Sequence, residues 1–175
     1  MSKNIYVVGK VAFANLVEPK YFMDGSAKYS VRLLIDKFNE KEKQKISSAL
    51  KEAYENGKEI FKKTAQVVPE LKNISSAVKR GETLSNSIYE KYFVLDAKSN
   101  TQPQVIDKEK TLLDANIIQS GSEVVLAVNL FPYNVNGNCG ISCKLHSLMF
   151  VRQGSPIVEE SNAAEDFADF DFDNI

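Results

Sequence analysis

The sequence predicts a mainly β fold, a small five-stranded barrel with one helical region inserted between its strands. Runs rich in β-branched and aromatic residues recur between turn residues. One long stretch that starts at Asn39 has helical rather than strand periodicity. The last two apolar runs are joined by Asn136 and Gly137, the residues typical of a tight hairpin.

The first two predicted strands lie on either side of a turn near Pro19. Residues 5 to 16 are long for one strand, and Gly9 within them predicts a bulge or bend. Residues 28 to 35 alternate between polar and apolar side chains, so one face should pack in the barrel. The apolar face carries Tyr29, Val31, Leu33 and Ile35, and the polar face carries Lys28, Ser30 and Arg32.

A helical insertion is expected over about residues 39 to 90. Asn39 opens a capping box, and apolar residues then recur every three or four positions. This pattern predicts one amphipathic helix to about Ala65, and a break near Asn56-Gly57 is left open. A second, short helix is expected over about residues 69 to 78, followed by loops.

Strand character returns after the insertion. The predicted strands are residues 91 to 98, 104 to 107, 123 to 134 and 140 to 152. Five or so curved strands in this order are consistent with an OB-fold, although other small barrels share the pattern. We therefore expect an OB-fold-like domain over residues 1 to 158. The segment 159 to 175 is small, polar and acidic, and we expect it to be a disordered tail.

The net charge of −1 is the sum of two opposed parts. All 22 basic residues lie at or before Arg152, whereas seven of the 23 acidic residues follow it. Residues 1 to 158 therefore carry a net charge of +6, and residues 159 to 175 carry −7. A basic body with an acidic tail indicates a polyanionic partner for the body.

Several classes of protein are excluded or disfavoured. No stretch approaches the roughly 18 apolar residues of a membrane span, and no signal peptide is present, so we expect a cytoplasmic protein without membrane contact. Cys139, Cys143 and His146 are too few for a closed zinc site, and we interpret the cysteines as small core thiols. Because no nucleotide-binding or catalytic motif appears, we expect no enzyme, metal or cofactor.

Basic and aromatic residues share the predicted strands and loops. Single-stranded nucleic acid exposes both phosphates and unstacked bases, so a protein that holds it needs cations and flat rings together. The candidate DNA-binding residues are Lys10, Tyr21, Phe22, Lys28, Arg32, Lys79, Arg80, Lys91, Tyr92, Lys98, Tyr133 and Lys144. For any single ring the alternative is a place in the core, and for any single cation it is a solubilising role.

The tail interleaves acids with aromatic rings. The residues concerned are Asp166, Phe167, Asp169, Phe170, Asp171, Phe172 and Asp173. Phenylalanines on a disordered end have no use in folding, but they would suit an apolar pocket of a protein partner with a basic rim. The same tail could lie in the basic groove of the body and compete with nucleic acid.

Several segments resemble the single-stranded DNA-binding proteins of tailed phages. They are Lys10–Leu16 with Pro19, Lys28–Lys37, Arg80–Glu82, Pro103–Asp107, and Val128–Ser142 with Arg152–Gly154. The resemblance covers most of residues 5 to 156, and the hairpin around residues 128 to 142 is its most specific part.

This resemblance implies an OB-fold and sequence-independent binding of single-stranded DNA during phage replication, recombination and repair. It also implies a site of action in the bacterial host cytoplasm and a tail that contacts a replication protein such as a polymerase, primase or helicase. The alternative is an OB-fold adaptor that acts through its tail, and a nuclease is a third class. Whether the chain forms a homodimer, and whether the insertion binds DNA, are left open.

Overall fold

The computed structural model describes residues 4–62, 67–84, 86–157 and 163–174, except for the side chains of residues 165 and 174. The elements are β1 (Ile5–Tyr21), β2 (Ala27–Asp36), α1 (Glu40–Phe61), β3 (Ser75–Ser76), β4 (Val78–Arg80), β5 (Tyr92–Ser99), β6 (Gln104–Ile106), β7 (Leu112–Leu113), β8 (Ser122–Val135), β9 (Asn138–Gln153) and α2 (Ala163–Asp166). Single 3₁₀ turns lie in several of the connections.

Five long strands close the predicted barrel. β1 pairs with β2 on one side and with β8 on the other, β2 pairs with β5, and β8 pairs with β9, all antiparallel. A parallel contact between β5 and β9 at Lys98 and Lys144 closes the circle. The barrel and the position of the insertion between β2 and β5 confirm the OB-fold prediction.

The alternation predicted for β2 is confirmed from Val31 to Ile35, whereas Tyr29 on the predicted apolar face is only half-buried. Val31, Leu33 and Ile35 are buried in the main core, whereas Lys28 and Arg32 are half-buried on the outer face. One outward residue departs from this pattern, because Leu34 packs with Ala12 and Val94 in a second, smaller cluster on the outside of the barrel. Leu84, Tyr89, Tyr92 and Ile157 pack against that cluster and cover one end of the outer face.

Of the bulge or bend predicted at Gly9, the bulge is wrong, and so is the turn predicted at Pro19. Gly9 pairs in regular register with Val124, and its missing side chain leaves room for Leu33 of β2. The irregularities in β1 lie between Val11 and Phe13 and between Asn15 and Lys20 instead. Pro19 falls in the second irregularity, where the ladder does not need its missing N–H, and the chain reverses after Tyr21.

The helix α1 begins as predicted and continues without a break. The Asn39 side chain accepts a hydrogen bond from the backbone N–H of Glu42 at 3.2 Å, which caps the helix. Gly57 does not interrupt α1, because it packs directly against Pro132 of β8, where a side chain would collide. The predicted end near Ala65 lies outside the described residues.

The buried side chain of Glu42 ties α1 to the edge of β1. Its carboxylate accepts from the backbone N–H of Val8 at 3.1 Å and from Nζ of Lys45 at 3.0 Å. Lys45 in turn donates to the backbone oxygen of Tyr6 at 2.6 Å. Two side chains of one helix turn therefore satisfy two backbone groups of β1.

Replacing Glu42 by alanine is expected to lower the free energy of unfolding by about 2 kcal/mol, because the Val8 N–H and the Lys45 ammonium both lose their hydrogen bond to a charged, buried carboxylate. Urea unfolding measures this loss. Glu42→Gln, which keeps an acceptor oxygen, should cost clearly less. Equal stability of the alanine variant and the unmodified protein would show that the contact does not contribute.

The short helix predicted over residues 69 to 78 is wrong. A 3₁₀ turn at Leu71–Asn73 is followed by β3 and β4, which lie between β5 and β9. The N–H of Ala77 donates to Ile141 and its oxygen accepts from the N–H of Asp96, at 2.9 Å each. The backbone of this segment therefore forms its hydrogen bonds with strands that are distant in the sequence. In a helix, the same groups would bond within the segment.

The end of the chain follows the sequence pattern in part. Asn136 and Gly137 both have positive φ angles, as the predicted two-residue hairpin turn requires. Beyond the barrel, the exposed phenylalanines Phe167, Phe170 and Phe172 follow the short helix α2, and Phe172 begins the turn at Phe172–Asn174. The disorder expected over residues 159 to 175 stays a prediction, and residues 158–162 and 175 lie outside the described part of the chain. No described helix combines the length and apolarity needed to cross a membrane.

The cysteines lie on β9 as free thiols. Cys143 is 1% exposed and belongs to the main core, which confirms the predicted core thiol at this position, and burial raises its pKa to about 12. Cys139 is half-buried. His146 is the extra residue where the register between β8 and β9 shifts, between the pairs Ala127–Ser147 and Val128–Leu145.

Candidate nucleic-acid interface

The strand register aligns polar side chains in a row across the outside of the barrel. Asn15 pairs with Ser30, Ser30 with Lys98, and Lys98 with Lys144, which itself pairs with Asn129 of β8. Paired residues of neighbouring strands point to the same face. Lys98 and Lys144 therefore stand side by side on the outer surface, although 46 positions of sequence separate them.

A second row runs parallel to the first and is displaced from it by two residues on each strand. Phe13 pairs with Arg32, Arg32 pairs with Asp96, and Phe131 pairs with Ser142. Asp96 and Ser142 each lie two residues before Lys98 and Lys144, but at this level Ala77 lies between the two strands, because its backbone bonds to Asp96 and to Ile141. Asp96 and Ser142 therefore face the same depression from either side of this segment. An exposed aromatic ring thus lies at each end of this row, Phe13 at 44% and Phe131 at 37% exposure.

Two adjoining depressions follow these rows. The lysine groove is lined by Lys28, Lys98, Ser99, Asn100, Phe131, Ser142, Cys143 and Lys144. The Asp96 pocket is lined by Ser75, Ser76, Ala77, Lys79, Asp96, Lys98, Tyr133, Ile141 and Ser142. Because Lys98 and Ser142 belong to both linings, the two depressions adjoin, and we call them together the lysine channel.

The lysine channel has an excess of positive charge. Within the described residues, none of its four lysines, Lys28, Lys79, Lys98 and Lys144, lies within 4.0 Å of a carboxylate. The one carboxylate in the described lining, Asp96, is paired with Arg32. Four cations are therefore available to an anionic ligand.

Arg32 is held in a cage that the sequence did not reveal. Its Nε and Nη2 donate to the two oxygens of Asp96 at 2.8 and 3.0 Å, and this contact raises the pKa of Arg32. The rings of Phe13 and Tyr89 lie 5.1 and 5.3 Å from the guanidinium carbon. Arg32, which the sequence predicts to contact a phosphate, is thus already bound to a carboxylate and two rings.

The structure brings three aromatic rings to the lysine channel. Phe131 and Tyr133 line it, and the Tyr133 ring lies directly over Gly140, where any side chain would collide with it. Phe22 stands at its edge, with Nζ of Lys98 5.2 Å from the ring centre. Phe131 is absent from the predicted site, although the alternation that places Tyr133 on the outer face of β8 places Phe131 there too.

Six of the twelve predicted DNA-binding residues lie at this channel: Phe22, Lys28, Lys79, Lys98, Tyr133 and Lys144. Arg32 lies beside it. The remaining five are placed elsewhere: Lys10, Tyr21, Arg80, Lys91 and Tyr92. Tyr92 packs on the small outer cluster, Arg80 lies 3.7 Å from Glu82, Lys10 is paired in register with Glu123, and Tyr21 is exposed at the end of β1.

The comparisons with known proteins point to one kind of protein. The sequence model of a family described as the single-stranded DNA-binding protein of Enterobacter phage Enc34 matches residues 4–174. Among curated protein sequences, none matches the chain.

The fold matches solved structures of phage proteins. The single-stranded DNA-binding protein from bacteriophage Enc34 in complex with single-stranded DNA has a TM-score of 0.70 and 21% identity over 87% of this chain and 88% of that chain. A second structure of the single-stranded DNA-binding protein from bacteriophage Enc34 has a TM-score of 0.68 and 20% identity over 94% of this chain and 89% of that chain. Gp2.5, a single-stranded DNA-binding protein encoded by bacteriophage T7, gives 0.66 and 18% over 91% and 97%.

Proposed function

The chain belongs to the family of the single-stranded DNA-binding protein of Enterobacter phage Enc34, and we propose that it binds single-stranded DNA along the lysine channel. Binding takes place without a fixed recognition sequence, because phosphates and base faces are common to every nucleotide. No bond is broken. The protein protects the exposed strand and removes its hairpins.

One observation supports this proposal more strongly than any other. Four lysines without a carboxylate partner in the described residues line the same channel as the rings of Phe131 and Tyr133. Cations for the phosphates and rings for the bases are the two kinds of group that single-strand binding requires. An adaptor that used the barrel only as a scaffold would not need them together.

Fluorescence anisotropy with a labelled oligonucleotide tests the proposal. We expect saturable binding to single strands, much weaker binding to the matching duplex, and recovery of the intact oligonucleotide after incubation with Mg²⁺. Absence of binding would leave the adaptor function, and Mg²⁺-dependent loss of the oligonucleotide would indicate a nuclease.

We further propose that the protein supports DNA replication, recombination and repair of a phage in the cytoplasm of its bacterial host. In this proposal the tail recruits a replication protein such as a polymerase, primase or helicase. Phe167, Phe170 and Phe172 are each more than half exposed, and Phe167 and Phe170 contact each other edge to face at 5.8 Å. Exposed rings among acids suit an apolar pocket with a basic rim on the partner.

Deleting residues 159 to 175 is expected to tighten binding of single-stranded DNA severalfold at low salt. The deletion removes a charge of −7 that competes with DNA for the lysine channel. It should also abolish retention of the replication protein on a column that carries the immobilised chain. Anisotropy titrations at two salt concentrations measure the first effect.

A matched control separates the charge of the tail from its rings. Asp166, Asp169, Asp171 and Asp173 replaced together by asparagine should tighten DNA binding while all three phenylalanines remain. Phe167, Phe170 and Phe172 replaced together by alanine should leave DNA affinity nearly unchanged and weaken partner retention. An unchanged affinity of the asparagine variant at low salt would contradict competition by the tail.

A further inference from the structure

We propose that Asp96 makes the lysine channel selective for bases that carry an exocyclic amino group, such as cytosine, over uracil and thymine. The inference rests on the proposed function, because it assigns a base contact within the same channel. It adds a preference among bases to a site that otherwise contacts phosphates and ring faces.

The Asp96 pocket has the components of a base site. It occupies about 280 Å³ and has the ring of Tyr133 and the side chain of Ile141 in its lining. Ser75, Ser76 and Ser142 add hydroxyl groups, and Asp96 adds a carboxylate with 25% of its side chain exposed. Proteins hold an unpaired base by stacking it on an aromatic ring and by forming hydrogen bonds to its edge from nearby polar groups.

A phosphate is disfavoured in direct contact with the carboxylate oxygens of Asp96. This residue is the one carboxylate in the described lining of the channel, and two like charges in contact repel. Lys79 and Lys98 stand in the same pocket, and Lys144 adjoins Lys98. The backbone of a bound strand therefore follows the lysines, which leaves Asp96 to meet a base.

Arg32 fixes the orientation of this carboxylate and leaves some of its hydrogen-bond acceptor positions free. The guanidinium donates one hydrogen bond to each oxygen, at 2.8 and 3.0 Å, and is itself held by the rings of Phe13 and Tyr89. An ionised carboxylate offers about four lone-pair directions, so acceptor positions remain on the side that faces the pocket. Asp96 thus presents a fixed group that accepts hydrogen bonds and cannot donate them.

An acceptor of this kind distinguishes the pyrimidines. Cytosine directs its N4 amino group outward as a donor, whereas uracil and thymine carry the acceptor O4 at the same position. A carboxylate therefore attracts the first and repels the second. Stacking on Tyr133 is similar for cytosine and uracil, so the difference between them isolates the edge contact.

Anisotropy titrations of the full-length protein with oligo-dC and oligo-dU test the inference. We expect the unmodified protein to prefer oligo-dC by at least about fivefold, the lower end for one specific edge contact. Asp96→Asn should bring the ratio close to one, because an amide both donates and accepts. Lys144→Ala, the matched control, should weaken binding of both oligonucleotides equally and leave the ratio unchanged.

A second test leaves the protein unaltered. An oligonucleotide of 2-pyrimidinone deoxynucleosides keeps the ring and N3 of cytosine but lacks the amino group, and it should bind as weakly as oligo-dU. Equal affinity for oligo-dC, oligo-dU and this analogue would overturn the inference while leaving the proposed function intact. Failure of all three to bind would overturn the proposed function as well.

Discussion

Replacing Lys98 and Lys144 together by alanine is expected to weaken binding of single-stranded DNA about 25-fold at 0.1 M salt, if the electrostatic contribution vanishes near 1 M. The two side chains are neighbours across the parallel pair that closes the barrel, and both line the lysine channel. Each phosphate contact of a single strand adds about −0.7 to the slope of log affinity against log salt. The loss of two contacts accounts for the expected factor.

The matched control removes the same charge from another surface. Lys41 and Lys51 are exposed on α1 and lie outside the lysine channel. Replacing both by alanine changes the net charge equally and should alter affinity much less. Anisotropy titrations compare the two double variants, and thermal unfolding verifies that both fold. Equal losses of affinity would indicate a general charge effect and contradict a defined channel.

Replacing Tyr133 by alanine is expected to weaken binding at least about fivefold, because stacking of one base on an aromatic ring contributes about 1 to 3 kcal/mol. Tyr133→Phe keeps the ring and should bind nearly as well as the unmodified protein. Gly140→Ala should weaken binding in the same direction, since its methyl group takes the space of the Tyr133 ring.

Phe38 offers the control for this series, because its ring is 90% exposed and lies outside the lysine channel. Phe38→Ala should leave the affinity unchanged. Titration of each variant with the same oligonucleotide measures the effect, and urea unfolding shows whether the fold is retained. If the Tyr133→Ala variant folds and binds DNA with undiminished affinity, the Tyr133 ring does not belong to the binding site.

The sequence predicted those parts of the fold that depend on neighbouring residues. The alternation of β2, the cap at Asn39 and the hairpin at Asn136 each follow from the local pattern, and the structure confirms them. The sequence left a break at Gly57 open and wrongly predicted a helix where β3 lies. In both places the conformation depends on distant partners, Pro132 in one case and the edges of β5 and β9 in the other.

The same division holds for the candidate site. Strand phase was sufficient to place Lys28, Lys98 and Lys144 on the outer face. It did not reveal that the guanidinium of Arg32 donates hydrogen bonds to Asp96, which lies 64 positions away in the sequence. Tyr92 has the outward phase expected of a stacking ring, but Leu34 and Val94 form an apolar cluster beneath it. Which outward residues are covered depends on loops that strand periodicity does not describe.

The salt dependence of affinity for oligo-dT tests the central claim most directly, namely that unpaired lysines of the channel hold the phosphates of a single strand. With the four lysines Lys28, Lys79, Lys98 and Lys144 each neutralising one phosphate, the slope of log affinity against log salt should be about −3. In the Lys98→Ala/Lys144→Ala variant it should fall to about −1.4. A slope near zero, or an unchanged slope in the double variant, would contradict this account.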